Sequence, residues 1–330
     1  MKRDRLSALI LPLALAACGG GAGPAGVVIP QDVRDEPASV GSDVSVANYA
    51  SFAAPAARLV LGATGDSLTG VFAAGRESPA GLSGTRPHGL LPRALAQAAA
   101  SLSRERPQAT STQTQACDVF GTMTAMVDDV DGNQRLSAGD AMTVTVDQCV
   151  FVAGDPPLSG TFSLTVNAVE LDGNLDPTAI DASGRFDAFT IGSVASLNGA
   201  FRLWYRQDTA TSQRLRLSFK DVDSAVLDQS ARYNVDVVAT TSAAGGSYAI
   251  DGALGLSGQT YKIVQGPAPF GVPASGNVPN AGTLDLKDAA GDAMRLTAKA
   301  NELVGIGFVP AGSQAQTPAL ADQLWSSLAP

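Results

Sequence analysis

The sequence predicts a mainly β protein: an antiparallel meander of about twelve strands forming a curved sheet or barrel-like domain, preceded by a short α-helical segment and a flexible N-terminal tether. Three observations carry this expectation. From Cys117 onward apolar and polar residues alternate with a period of two, most plainly at Phe162, Leu164, Val166 and Ala168 against Thr161, Ser163, Thr165 and Asn167. The alternation returns with Leu215, Leu217 and Phe219 against Arg214, Arg216, Ser218 and Lys220, and again with Tyr233, Val235 and Val237 against Arg232, Asn234 and Asp236. One apolar and one polar face per strand is the mark of an antiparallel sheet buried on a single side. Finally, Gly121-Thr122-Met123-Thr124-Ala125, Gly160-Thr161-Phe162-Ser163-Leu164 and Gly199-Ala200-Phe201-Arg202-Leu203 start 39 residues apart, a unit that accommodates two long strands and their turns.

Taken from the start, residues 1–17 have the order of a secretory signal: positive charge at Lys2, Arg3 and Arg5, then an apolar run from Leu6 to Leu15. That run is too short to span a bilayer, which takes about 20 apolar residues. It ends in Leu15-Ala16-Ala17-Cys18, which resembles the lipobox of bacterial lipoproteins. The resemblance implies cleavage before Cys18, acylation of its thiol with fatty acids of the palmitate type, and, because Gly19 rather than aspartate follows, sorting to the outer membrane. Several acyl chains at roughly 0.8 kcal/mol per buried methylene hold a protein where one chain holds it marginally.

Residues 18–45, rich in Gly, Pro, Asp and Ser without periodicity, read as the linker. Residues 46–110 read as a helical and irregular segment, with alanine-rich helices expected over Asn48–Leu61 and Leu90–Leu102 and Ser/Thr-rich connections after them. The β domain is expected over residues 115–328, with turns at Asp288–Asp292 and Ala300–Glu302. A meander must curl to dispose of its edges, so a barrel or strongly curved sheet is the preferred closure and a sandwich the next. A transmembrane barrel is disfavoured by Arg214, Arg216, Lys220, Arg232 and Asp236 on the outward faces.

Formal charge is -9 over the whole chain, and loss of the leader's three basic residues and Asp4 makes it -11. An acidic domain repels nucleic acid, so partners are expected elsewhere: the membrane through the anchor, and a lipid, glycan or envelope protein. Cys117 and Cys149 are the two remaining cysteines, and in an oxidising compartment they are expected to form a disulfide. They are equidistant from residue 133, so symmetric pairing of the hairpin would set them face to face on adjacent strands.

Between them lies Asp129-Val130-Asp131-Gly132-Asn133-Gln134-Arg135-Leu136-Ser137-Ala138-Gly139-Asp140. Its plainer reading is a polar hairpin loop in which Asp, Asn and Gly supply turn geometry. As a twelve-residue calcium loop it would offer oxygens from Asp129, Asp131, Asn133, Ser137 and Asp140, with Leu136 at the apolar eighth place. Gln134 at the glycine position, a closing aspartate and strands in place of flanking helices depart from that pattern. No other cofactor is expected.

No catalytic residue emerges. His88, the single histidine, sits in Arg86-Pro87-His88-Gly89 and reads as a loop residue, and no Gly-x-Ser-x-Gly elbow exists to pair with it. Carboxylates such as Asp221 and Asp223, or Asp172 and Asp176, fall at turns. Trp204, Tyr205 and Trp325 are candidates for a ligand cavity, though a strand aromatic usually belongs to the core. The lipobox, the Cys-strand-loop-strand-Cys unit, the Gly-x-aromatic strands and the hairpins ending at Trp325 together resemble uncharacterised proteobacterial outer-membrane lipoproteins with a cysteine-containing β-repeat domain. The resemblance covers about residues 115–328 plus the lipobox and implies no known activity. The reading is of a non-catalytic binding or structural protein of the cell envelope, with a glycan hydrolase using paired carboxylates, or a weak calcium-binding β domain, as the alternatives.

Overall fold

A computed structural model describes residues 43–64, 94, 110–151, 153, 157–173, 177–192, 195–209, 212–226, 229–274, 278–316 and 319–328. Cys18, the residue 18–42 part of the linker, His88, Asp176 and nearly all of the helix expected at 90–102 lie outside these residues, though Ala94 is helical and buried.

The described residues form one antiparallel sheet of 15 strands. They are β1 (Thr110–Ala116), β2 (Phe120–Asp128), β3 (Ala141–Val150), β4 (Leu158–Leu171), β5 (Pro177–Ile191), β6 (Ala195–Thr209), β7 (Ser212–Val226), β8 (Gln229–Ser242), β9 (Gly245–Leu256), β10 (Gln259–Gln265), β11 (Phe270–Pro273), β12 (Thr283–Lys287), β13 (Ala293–Ala298), β14 (Leu303–Val309) and β15 (Gln323–Leu324). Each strand pairs with the next except at β11, which folds back on β9 while β10 pairs with β12. β1 and β15 do not pair, so the sheet curls without closing into a barrel. The count exceeds the expected dozen or so, and β1, made only of Thr, Ser, Gln and Ala, is a strand with no apolar phase to announce it. β1 thereby replaces the Ser/Thr-rich connection expected before residue 115.

Period two places the core. Leu215, Leu217 and Phe219 are buried, as are Tyr233, Val235 and Val237, and Phe162, Leu164 and Val166. Ala168 departs and is exposed, because the register of β4 on β5 shifts between Val166 and Ala168 and moves the inward phase to Val169. At the centre of β4–β7, Phe162, Phe186, Phe189, Phe201 and Phe219 pack with ring centroids 4.6 to 6.4 Å apart.

The glycine repeat is a bending device. Gly121, Gly160 and Gly199 stand on β2, β4 and β6 at φ +82, +108 and +136, each at a register shift in the ladder. The paired registers align these shifts into one crease that runs across the sheet and reaches Gly252 of β9, φ +128. A Cβ at residue 121, 160 or 252 would collide with a backbone oxygen of the neighbouring strand, that of Gln148, Ala188 or Asn234. Only glycine fits such backbone, which bends the long strands over the core.

A 3-10 turn, Tyr49–Phe52, leads into α1 (Ala53–Thr64), close to the expected helix. α1 is apolar on almost every side and its alanines let it lie against the concave face of the sheet. Phe52 meets Tyr261 edge-on at 4.9 Å and Tyr49 reaches Phe308 at 6.2 Å. At the other end, α2 (Trp325–Leu328) buries Trp325 completely, with its indole Nε1 donating to the Pro279 carbonyl at 3.2 Å. No helix of the described residues is long and apolar enough to cross a membrane.

Candidate functional site

Among the described residues, the β2–β3 hairpin brings three carboxylates together. Its loop, residues 129–140, is held by its own carboxylates acting as acceptors. Asp129 Oδ1 and Oδ2 accept the backbone N–H groups of Asn133 and Gln134 at 3.2 and 2.8 Å. Asp131 Oδ1 accepts Asn133 N–H at 3.1 Å, and Asp140 accepts Val130 and Ser137 N–H at 3.0 and 2.7 Å. These bonds replace the ladder that the loop leaves.

The result gathers charge. Oxygens of Asp129, Asp131 and Asp140 lie within 4.8 Å of one another, with Asp129 and Asp140 buried and Asp131 exposed. Ser137 Oγ donates to both Asp131 and Asp140, so it belongs to the cluster. Asn133 serves differently: its Nδ2 donates to Asp131 Oδ2 and its oxygen accepts the Arg135 N–H at 2.7 Å. Leu136 is buried, as its place in the pattern anticipates. Burial pushes the Asp140 carboxyl above its ordinary range; hydrogen bonds from Ser137 and Val130 pull it back in part, and the Asp129 charge adds to the rise. Desolvation also raises Asp131, but hydrogen bonds from the Asn133 N–H and amide and from Ser137 outweigh it and leave that carboxyl low. Three carboxylates so close repel, and a hard divalent cation is the species whose ligand preferences this set meets. The loop amides already satisfy some lone pairs, which is the arrangement a plain turn would need too.

The disulfide between Cys117 and Cys149 is present, with Cα atoms 5.6 Å apart. Its placement corrects the symmetric expectation. The hairpin pairs Thr122 with Asp147 and Asp128 with Ala141, so Cys149 comes level with the region of Phe120 and not with Cys117. Cys117 lies beyond β2, in the turn after β1, and the bond ties that turn to β3. The hairpin's true centre is later than residue 133, because the loop is longer on its C-terminal side.

Along the strands, arginines and aspartates pair with one another. Arg202 binds Asp181, Arg216 binds Asp236 and Arg295 binds Asp285 through two guanidinium nitrogens each, all partly buried. Arg214 holds Asp208 in the same way and lies 5.7 Å from the centre of the Trp204 ring. Sequence reasoning placed Arg214, Arg216 and Asp236 outward but not as members of pairs, since their partners come from neighbouring strands. Trp204 is thus an outer-face residue, whereas Tyr205 and Trp325 are core. Burial raises the Tyr205 phenol.

A small cavity remains between α1 and β6–β8, walled by Leu59, Ala63, Leu217, Phe219, Tyr233 and Val235 among other apolar residues. It holds about 10 Å³, the space of one water, and its walls offer that water no partners. An acyl chain would need α1 to move.

No protein-family model matches the chain, and neither a curated protein nor a solved structure is detectably similar to it.

Proposed function

We propose that this chain is a non-catalytic lipoprotein of the bacterial cell envelope, acylated at Cys18, sorted to the outer membrane, and presenting its β domain for binding or structural work. The observation that carries the reading is the charged-then-apolar leader ending in Leu15-Ala16-Ala17-Cys18. Twenty-five positions separate Cys18 from Asp43, where the described fold begins, a spacer that reaches at most about 90 Å when extended. The filled concave face favours recognition by the outer surface of the sheet, with a glycan, lipid headgroup or envelope protein as the partner class. Labelling cells with a fatty-acid analogue tests the anchor. The wild-type chain is expected to take label and fractionate with membranes, and Cys18→Ala to do neither; equal labelling of the variant would refute the reading.

A second reading concerns the β2–β3 loop, which we propose as a weak calcium site of the kind that suits high extracellular calcium. The convergence of Asp129, Asp131, Asp140 and Ser137 supports it, with Asn133 contributing once its amide turns. Thermal melts with calcium and with chelator are expected to differ for the wild type and to coincide for Asp129→Ala. Coincident wild-type melts would leave the loop a turn and nothing more.

A further inference from the structure

Alternating strand directions give the sheet two rims, and the polypeptide enters the fold at one of them. β2 and β10 start at this rim, and β12 pairs with β10 so that the 288–292 turn lies there as well. Asp288 of that turn accepts the Val44 N–H, Tyr49 packs on Phe308 one residue from the end of β14, and Phe52 packs on Tyr261 near the start of β10. The β2–β3 loop, with Asp129, Asp131 and Asp140, lies at the opposite rim.

The entry rim also holds apolar side chains in water. Phe120 is 63 % exposed and is the one exposed aromatic ring among the described residues; Val119 beside it is 52 % exposed, and Val46, in the entering segment, 55 %. The backbone at Val119 and Phe120 is pinned. Cys117 N–H donates to the Gly121 carbonyl and Val119 N–H to the Val150 carbonyl, both at 3.0 Å, and the disulfide fixes the same turn to β3. A tip that is already ordered loses little entropy on docking.

We infer that Val119 and Phe120 rest in the boundary between headgroups and acyl chains of a zwitterionic bilayer, with the entry rim facing the membrane and the acidic loop turned away from it. The inference rests on the anchor at Cys18 proposed above. The occupant is a bilayer because of where the chain outside the described fold leads: residues 19–42 join Cys18 to Asp43, so acyl chains on Cys18 draw this rim, and not the other, toward lipid. A tether makes docking intramolecular, so a contact of a few side chains, too weak to hold a free protein, suffices to orient an anchored one. Phenyl and aliphatic groups are the kind that settle at this depth. The formal charge of -9 selects against anionic headgroups, which leaves a zwitterionic surface.

Tryptophan quenching in the full chain tests the orientation. Acylated protein is reconstituted into phosphatidylcholine vesicles with and without bromine on the lipid acyl chains, which quenches an indole only where it enters the bilayer. The emission added by Phe120→Trp, or by Val119→Trp as a second variant, is expected to fall sharply in brominated vesicles. The emission added by Val130→Trp, at the opposite rim and matched in exposure at 64 %, is expected to persist, as is the wild-type signal from Trp204 and Trp325. A hexahistidine tag in place of the leader and Cys18, bound to nickel-chelating lipid, repeats the comparison without acylation, so failure of the anchor and failure of the rim contact are read separately. Unchanged circular dichroism checks the fold of each variant. Equal quenching at positions 120 and 130, or none at 119 and 120 in vesicle-bound chain, as a protein partner on the tip would give, overturns the inference.

Discussion

Val44 donates its backbone N–H to Asp288 Oδ2 at 2.7 Å, across 244 positions of sequence, while the other oxygen of the same carboxylate accepts Gly291 N–H at 2.8 Å. One buried side chain thereby shapes the β12–β13 turn and fastens the segment that leads into α1. Asp288→Ala leaves the buried Val44 N–H without its acceptor and the Gly291 N–H with only the longer bond to the residue 288 carbonyl, at 3.3 Å. It is expected to cost about 2 kcal/mol in denaturant unfolding and to open the chain near residue 43 to protease. Unchanged stability would show that water replaces the carboxylate.

Gly160→Ala is expected to destabilise by about 3 kcal/mol, since a methyl group there meets the Ala188 carbonyl and the backbone is left-handed at φ +108. Gly132→Ala is the control: also left-handed, at φ +68, but with open space around it. It is expected to cost about 1 kcal/mol. Equal costs would mean that the crease tolerates a side chain.

Replacing both Cys117 and Cys149 by alanine removes a covalent loop of 32 positions. The expected loss is about 3 to 4 kcal/mol on the loop-entropy model. Hydrogen exchange should quicken first in β1, because its end is where the bond is fixed.

Acid acts in opposite senses at two aspartates. The hydrogen bond from Arg214 lowers the Asp208 carboxyl against a small desolvation, with the charges of Arg214 and Arg206 helping. Its pKa is lower folded than unfolded, so its contribution is present above the ordinary carboxyl range and is lost as pH falls through the folded value. Melting temperatures of wild type and Asp208→Asn are expected to differ at neutral pH and to converge near pH ~2. Asp140, raised by burial, is protonated more readily in the folded chain, so its burial costs stability as pH climbs through its window. A gap at Asp208 that widened on acidification would contradict the pairing with Arg214.

Inward and outward positions were legible wherever an apolar phase existed, as at Leu215, Leu217 and Phe219. β1 was not, because Thr, Ser and Gln alternate without contrast and the strand exists through pairing with β2. Ala168 failed for a different reason: a one-residue bulge reverses every later side chain, and nothing in its own composition announces it. The partnership of Cys117 with Cys149 followed from counting, but its offset depended on where the loop divides between its strands. The loop's oxygen donors were all identifiable from spacing, while the turning of the Asn133 amide toward Arg135 was not. Asp288 looked like an ordinary turn residue, since its role depends on a segment 244 positions away.

The sheet is fastened by segments on either side of it in the chain: Tyr49 and Phe52 pack on β14 and β10, and Trp325, directly after β15, fills the core beneath Pro279. The indole follows every strand of the sheet in the chain, so the contact that seals the core beneath Pro279 forms only after the sheet it closes has been made.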